Sequence, residues 1–134
     1  MLYINQVVVP ATPPLFIPTP TATLSPEAFV NQAQELFTAG KLEASRQAYK
    51  EAIAADPEKS ANFVELARVE VFSGMYADAV VNAQNALLKN PNNPLAHAVL
   101  GWAYGFQEQY GEAERSIRRA LEIDPNNALA HAYF

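Results

Sequence analysis

The chain has no cysteine. Disulfide staples, a thiol nucleophile and cysteine-held zinc are therefore excluded by composition. Basic residues are also few: nine Lys+Arg stand against fourteen Asp+Glu, a formal net charge of −5 over 134 residues. Nucleic acid and anionic membrane both require a basic surface, so neither is an expected partner. The only histidines are His97 and His131. There is no glycine-rich phosphate loop, no zinc-protease helix motif and no nucleophile motif. No apolar run approaches the roughly 20 residues that cross a bilayer. Catalysis, cofactor and metal are poorly provided for, and none is expected. What is present is a half-hydrophobic chain (50%) with 17% charged residues, a composition that folds.

Charge is missing altogether from one end. The first 26 residues contain no charged side chain and no glycine, and the first charge is Glu27. Six of the ten prolines fall in the same stretch: Pro10, Pro13, Pro14, Pro18, Pro20 and Pro26. Proline removes a backbone donor and pushes its predecessor toward extended geometry, which excludes a helix over 1–25. Polyproline II or β-like backbone is expected, reaching roughly 80 Å at about 3.1 Å per residue. This arm lacks the basic leader and continuous apolar run of a signal peptide. It carries two apolar triplets, Val7, Val8, Val9 and Leu15, Phe16, Ile17, which are candidate anchors on a protein surface. A solvated, disordered Pro/Thr linker is the other reading of its composition.

From Pro26 onward the chain repeats. Asp56-Pro57, Asn90-Pro91 and Asp124-Pro125 recur every 34 residues, and Pro91–Ala98 differs from Pro125–Ala132 at one position. Small residues fall where paired helices must approach: Ala33, Ala67 and Gly101, then Ala52, Ala86 and Ala120. Larger apolar residues surround them at helical spacing. Gly40 and Gly74 fit the left-handed ends of helices, and Ser25 before Pro26 fits an N-cap with proline at the first helical position. Helices are predicted near 26–39, 42–55, 60–73, 76–89, 94–107 and 110–123.

This pattern resembles the tetratricopeptide repeat. The third unit carries His97-x2-Leu100-Gly101-x2-Tyr104, then Ala113, Ile117, Ala120 and Pro125. The first supplies Phe29, Ala33, Leu36, Ser45, Tyr49, Ala52 and Pro57; the second supplies Phe63, Leu66, Ala67, Ala79, Ala83, Ala86 and Pro91. Gln32, Glu70 and Ala83 depart from the residues usual at their places. The resemblance implies an all-α, right-handed superhelical solenoid. Its units would be 26–59, 60–93 and 94–127, with the start of a fourth at 128–134, behind the extended arm 1–25. Both histidines occupy one repeat position, so their spacing reflects the repeat, and packing or a wet surface explains them better than a metal.

The resemblance also implies a concave groove lined by first helices. By repeat position its lining is Val30, Gln34 and Phe37, then Val64, Arg68 and Val71, then Ala98, Trp102 and Gly105. Some members of the family grip a peptide carboxylate with lysine there. Val30, Val64 and Ala98 stand in that place, which argues against such a clamp. An apolar groove with Arg68 as its cation and Trp102 as a platform suits an extended, uncharged, proline-containing segment. Inter-repeat packing is the competing role for these residues.

Residues 128–134 begin a fourth unit without charge, so a following stretch or another molecule is expected to complete the stack, through Leu129, Tyr133 and Phe134. The expected function is a non-enzymatic interaction scaffold that associates head to tail with copies of itself, the arm docking on a neighbour. The alternative is a monomeric adaptor that binds an extended apolar peptide of another protein. Pro/Thr-rich segments like the arm resemble stalks of bacterial surface proteins, so an extracytoplasmic or cell-surface setting is expected, with a cytoplasmic one left open.

Overall fold

A computed structural model describes residues 24–134, and the regular structure of these residues is entirely α-helical. The helices are α1 (Pro26–Thr38), α2 (Leu42–Ala55), α3 (Ser60–Phe72), α4 (Tyr76–Lys89), α5 (Pro94–Phe106), α6 (Tyr110–Ile123) and α7 (Ala128–Tyr133). The first six lie within a residue of the spans predicted from the period. The arm and its anchors Val7, Val8, Val9, Leu15, Phe16 and Ile17 lie outside the described residues.

Local chemistry starts and stops the helices. Ser25 Oγ accepts from the Ala28 amide at 3.2 Å, with Pro26 at the first helical position. Asn93 and Asn127 cap α5 and α7 in the same way, accepting at 3.1 and 2.8 Å. Each satisfies one of the amides that a helix start leaves without an internal partner. Gly40 and Gly74 turn the chain after α1 and α3 at φ +78°. At the matching place after α5 stands Glu108, at φ 62°, where a side chain carries a steric penalty that glycine avoids.

Successive helices pair as hairpins, α1 with α2, α3 with α4 and α5 with α6, and the hairpins stack in order. Alanine builds the seams: Ala33, Ala52, Ala67, Ala86 and Ala120 are wholly buried. Gly101 sets the closest approach, because a Cβ there would stand 2.6 Å from Cδ1 and Cγ1 of Ile117. Hydroxyls pin the seams as well. Ser45 Oγ donates to the Ala33 carbonyl at 2.7 Å, and Ser60 Oγ donates to that of Ala86 at 2.9 Å. Burying a hydroxyl without such a partner would cost about 1–3 kcal/mol.

The departure at Glu70 has a structural reason. Its carboxylate is buried between the first two hairpins, accepting from Asn82 Nδ2 at 2.8 Å and from Arg46 Nε at 3.4 Å. Arg46 also reaches Glu43 at 2.9 and 3.1 Å and lies 3.9 Å from Asp78. Burial raises the Glu70 pKa, against the pull of the Asn82 and Arg46 hydrogen bonds and the Arg46 charge. A polar knot thus occupies the place where the family has an aromatic ring.

The short helix α7 packs on α5 and α6. Trp102 Nε1 donates to the Leu129 carbonyl at 2.9 Å, and Tyr133 meets the Trp102 indole edge-on at 5.4 Å. Tyr133 lies over Gly105, where a Cβ would come within 2.7 Å of its ring.

Candidate functional site

The C-terminal halves of the first helices α3 and α5 border a pocket of about 280 Å³. Arg68, Val71 and Phe72 of α3 form one wall, and Val99, Trp102 and Phe106 of α5 the other. Tyr76 of α4 and Leu129 of α7 close the ends. Four of these eight side chains are aromatic, and none is a carboxylate. A water-lined anion or metal site does not look like this; a seat for apolar side chains does.

The aromatic rings run on beyond the pocket. Phe37 meets Phe72 edge-on at 5.6 Å, and Tyr76 stacks on Phe106 at 4.7 Å with planes 8° apart. Phe106 tilts against Trp102 at 5.8 Å. Phe72 and Phe106 remain 61% and 50% exposed, which is costly surface to leave in water unless it is used.

Arg68 is the cationic side chain of the pocket. Its Nη2 donates to Glu65 Oε2 at 2.6 Å, its guanidinium lies 5.2 Å from the Phe37 ring centroid, and its Nε is buried with no partner among the described residues. Contact with a ring face suits a guanidinium whose charge is only partly compensated. On the neighbouring helix, burial and the charge of Glu65 push the Tyr49 phenol up to about 12, although Arg68 pulls it down.

The positions expected to line the groove do not share one surface. Arg68, Val71 and Trp102 line the pocket. Val30 and Phe37 pack on the core cluster shared by the first hairpin and α3, and Gln34 lies in a separate polar depression with Asn31, Glu35 and Thr38. Val64 and Ala98, expected on the groove surface, are instead 1% and 0% exposed. Packing between adjacent hairpins consumes them. Gly105 is covered by Tyr133.

The end-stacking positions also differ among themselves. Leu129 packs into the clusters of the second and third hairpins, and Tyr133 packs into that of the third. Both turn inward because α7 covers α5 and α6. Phe134 stays 69% exposed. The histidines prove to be local braces: Nε2 of His97 donates to the Pro91 carbonyl at 2.9 Å, and that of His131 to the Pro125 carbonyl at 2.6 Å.

Phe72, Tyr76 and Phe106 were not among the expected site residues. A signal for them exists: Phe72-x3-Tyr76 recurs 34 residues later as Phe106-x3-Tyr110. These positions straddle the turn between paired helices, outside the positions that carry the repeat's core pattern.

Stacked helical hairpins with an apolar pocket on one face define an all-α helical repeat protein. The chain belongs to the tetratricopeptide repeat family, whose models match residues 26–59 and 73–133. No curated protein matches the sequence significantly. Among solved structures, it is similar to the first tetratricopeptide domain of Spaghetti (RPAP3) bound to the HSP90 peptide SRMEEVD. That likeness has 22% identity and a TM-score of 0.77, over 81% of this chain and 86% of that one. The tetratricopeptide domain of Arabidopsis OM64 is similar at 20% identity and a TM-score of 0.76, over 80% and 88% of the two chains. The second such domain of human RPAP3, in complex with the HSP70 peptide SGPTIEEVD, follows at 23% identity and 0.73, over 81% and 93%. At these identities the likeness establishes the fold. Among the described residues no helix is long and apolar enough to cross a membrane, and no group of three or more acidic or histidine side chains could hold a metal.

Proposed function

We propose that the protein is a non-enzymatic interaction scaffold whose concave face takes an extended, uncharged segment, and that the segment comes from another copy. Subunits then associate head to tail, the arm of one lying on the groove of the next. A head-to-tail contact that does not close produces a filament, and one that closes produces a ring. The observation that carries this reading is a match of chemistry. The pocket is aromatic and free of carboxylates, and the arm is apolar and free of charge in a chain of net −5. The arm's composition supports placing the assembly outside the cytoplasm, at the cell surface.

Light scattering and electron microscopy over a range of concentrations, with the full chain and with residues 1–22 deleted, test the reading. Concentration-dependent assemblies that disappear with the arm support it. A full-length protein that stays monomeric throughout overturns it.

A second reading, an adaptor for a peptide of another protein, is favoured by similar folds solved with bound peptides. The peptides there, SRMEEVD and SGPTIEEVD, are acidic at their ends, whereas Arg68 is the cation among this pocket's lining residues. An adaptor of this kind would select an apolar ligand. It predicts a monomer whose ligand binding is lost in Phe72→Ser and Phe106→Ser with the helical fold intact.

A further inference from the structure

We infer that the aromatic pocket between α3 and α5 is the seat of one particular segment of this chain's own arm, Pro13–Pro18, with Phe16 inserted into the cavity. The inference rests on the proposed arm docking for its setting and adds the occupant and the register.

The pocket's size comes first. About 280 Å³ lies at or below the range of roughly 300–1,000 Å³ typical of cavities that enclose a small ligand. It holds a side chain or two of a segment whose backbone stays outside. Its chemistry narrows the choice. Aromatic-lined grooves recognise proline-rich segments because the rings lie flat against pyrrolidine faces, and because such segments have little conformational entropy left to lose. Phe72 and Phe106, more than half or half exposed, stand at the mouth where proline rings would rest.

Arg68 supplies the polar complement. A polyproline II backbone makes no internal hydrogen bonds, so its carbonyls are free acceptors. The guanidinium on the pocket wall, held on one side by Glu65, has donors to offer them. An acidic occupant would find one cation and a molecule of net charge −5; an uncharged one meets no such penalty.

The arm contains one stretch with the required pattern. Pro13-Pro14-Leu15-Phe16-Ile17-Pro18 frames its bulkiest apolar triplet with prolines. Three residues per turn put Pro13 and Phe16 on one edge in the seated conformation. Phe16 then enters the cavity while Pro13 lies on the rim. Residues 17–23 join Phe16 to the first described residue, Leu24, a reach of roughly 25 Å at about 3.1 Å per residue. The other apolar triplet, Val7-Val8-Val9, has a proline on one side only.

The test uses the full chain and its single tryptophan, because Trp102 lines the pocket. In Phe16→Asp, acrylamide should quench Trp102 several-fold more strongly than in the wild type, while Thr23→Asp, with the same charge outside the segment, leaves quenching unchanged. Far-UV circular dichroism should be the same for all three. A synthetic Ala11–Ala22 peptide added to Phe16→Asp should restore protection, and that peptide carrying the same substitution should not. Equal quenching in Phe16→Asp and wild type, or no effect of the peptide, overturns the assignment. Sedimentation on the same samples separates the two proposals. A monomer with a protected Trp102 that Phe16→Asp exposes keeps the seat and removes self-association. An oligomer that persists in Phe16→Asp with unchanged quenching keeps self-association and removes the seat.

Discussion

Replacing Arg46 by methionine is expected to cost far more than replacing Glu70 by leucine, although the two form one ion pair. The difference lies in what each leaves behind. Glu70 is 1% exposed, and without Arg46 its carboxylate retains one neutral donor, Asn82 Nδ2. Stranding a buried charge in this way costs about 3–5 kcal/mol. Arg46 without Glu70 still has Glu43 at 2.9 Å and Asp78 at 3.9 Å, and an 11% exposed edge. Its loss of one long hydrogen bond is expected to cost about 1–2 kcal/mol. The double variant removes both charges, so it should be more stable than the sum of the single penalties predicts by about 2 kcal/mol. The Arg46 penalty also depends on pH. Burial already lifts the Glu70 pKa, and Arg46 holds it down, so Arg46→Met lifts it further. A carboxyl whose folded pKa is raised is fully tolerated below its unfolded value, and stability is lost as pH rises through the folded value. The penalty should therefore be largest near pH 8 and shrink toward pH 5. Urea titrations at both pH values, followed by circular dichroism and by Trp102 emission, measure it. The knot joins the first two hairpins, whereas Trp102 reports on the third, so in Arg46→Met the helical signal should start to fall before the tryptophan signal. Equal penalties for the two single variants, or an Arg46→Met penalty independent of pH, would refute the reasoning.

Gly101→Ala should destabilise by about 1–3 kcal/mol through overpacking against Ile117, more than the roughly 1 kcal/mol that alanine gains in helix propensity. Adding Ile117→Val should recover part of the loss in thermal melts. Glu108→Gly should stabilise by about 1 kcal/mol, because Glu108 holds a positive φ that glycine adopts without clash; an unchanged melting temperature would show the turn to be unstrained. The Tyr49 phenol, pushed up to about 12 by burial, should give a late step in an absorbance titration that Tyr49→Phe removes. Because its folded pKa lies above the usual 10, folding favours the neutral phenol: its contribution to stability is fully present below pH 10 and is lost as pH climbs toward 12.

The helices were legible because their determinants are local. A proline or glycine acts on its own backbone, a Ser25 or Asn93 caps the amides three residues on, and a 34-residue period repeats these signals. Small residues at Ala33, Ala67 and Gly101 likewise announced close contacts, since a seam without room for a Cβ admits nothing larger. The site was less legible. Val64 and Ala98 share one repeat position and are buried in seams, whereas Arg68 and Val71, later along α3, line the pocket, although all four were expected on the groove. That division depends on how each hairpin packs on the next, which many side chains set together. The sequence by itself thus determined the period, the helical hairpins and the charge-free arm. Tertiary structure decided that Glu70 becomes a buried partner of Arg46, that α7 turns Leu129 and Tyr133 inward, and that Phe72, Tyr76 and Phe106 converge on one cavity, because those outcomes depend on contacts between residues far apart in the chain.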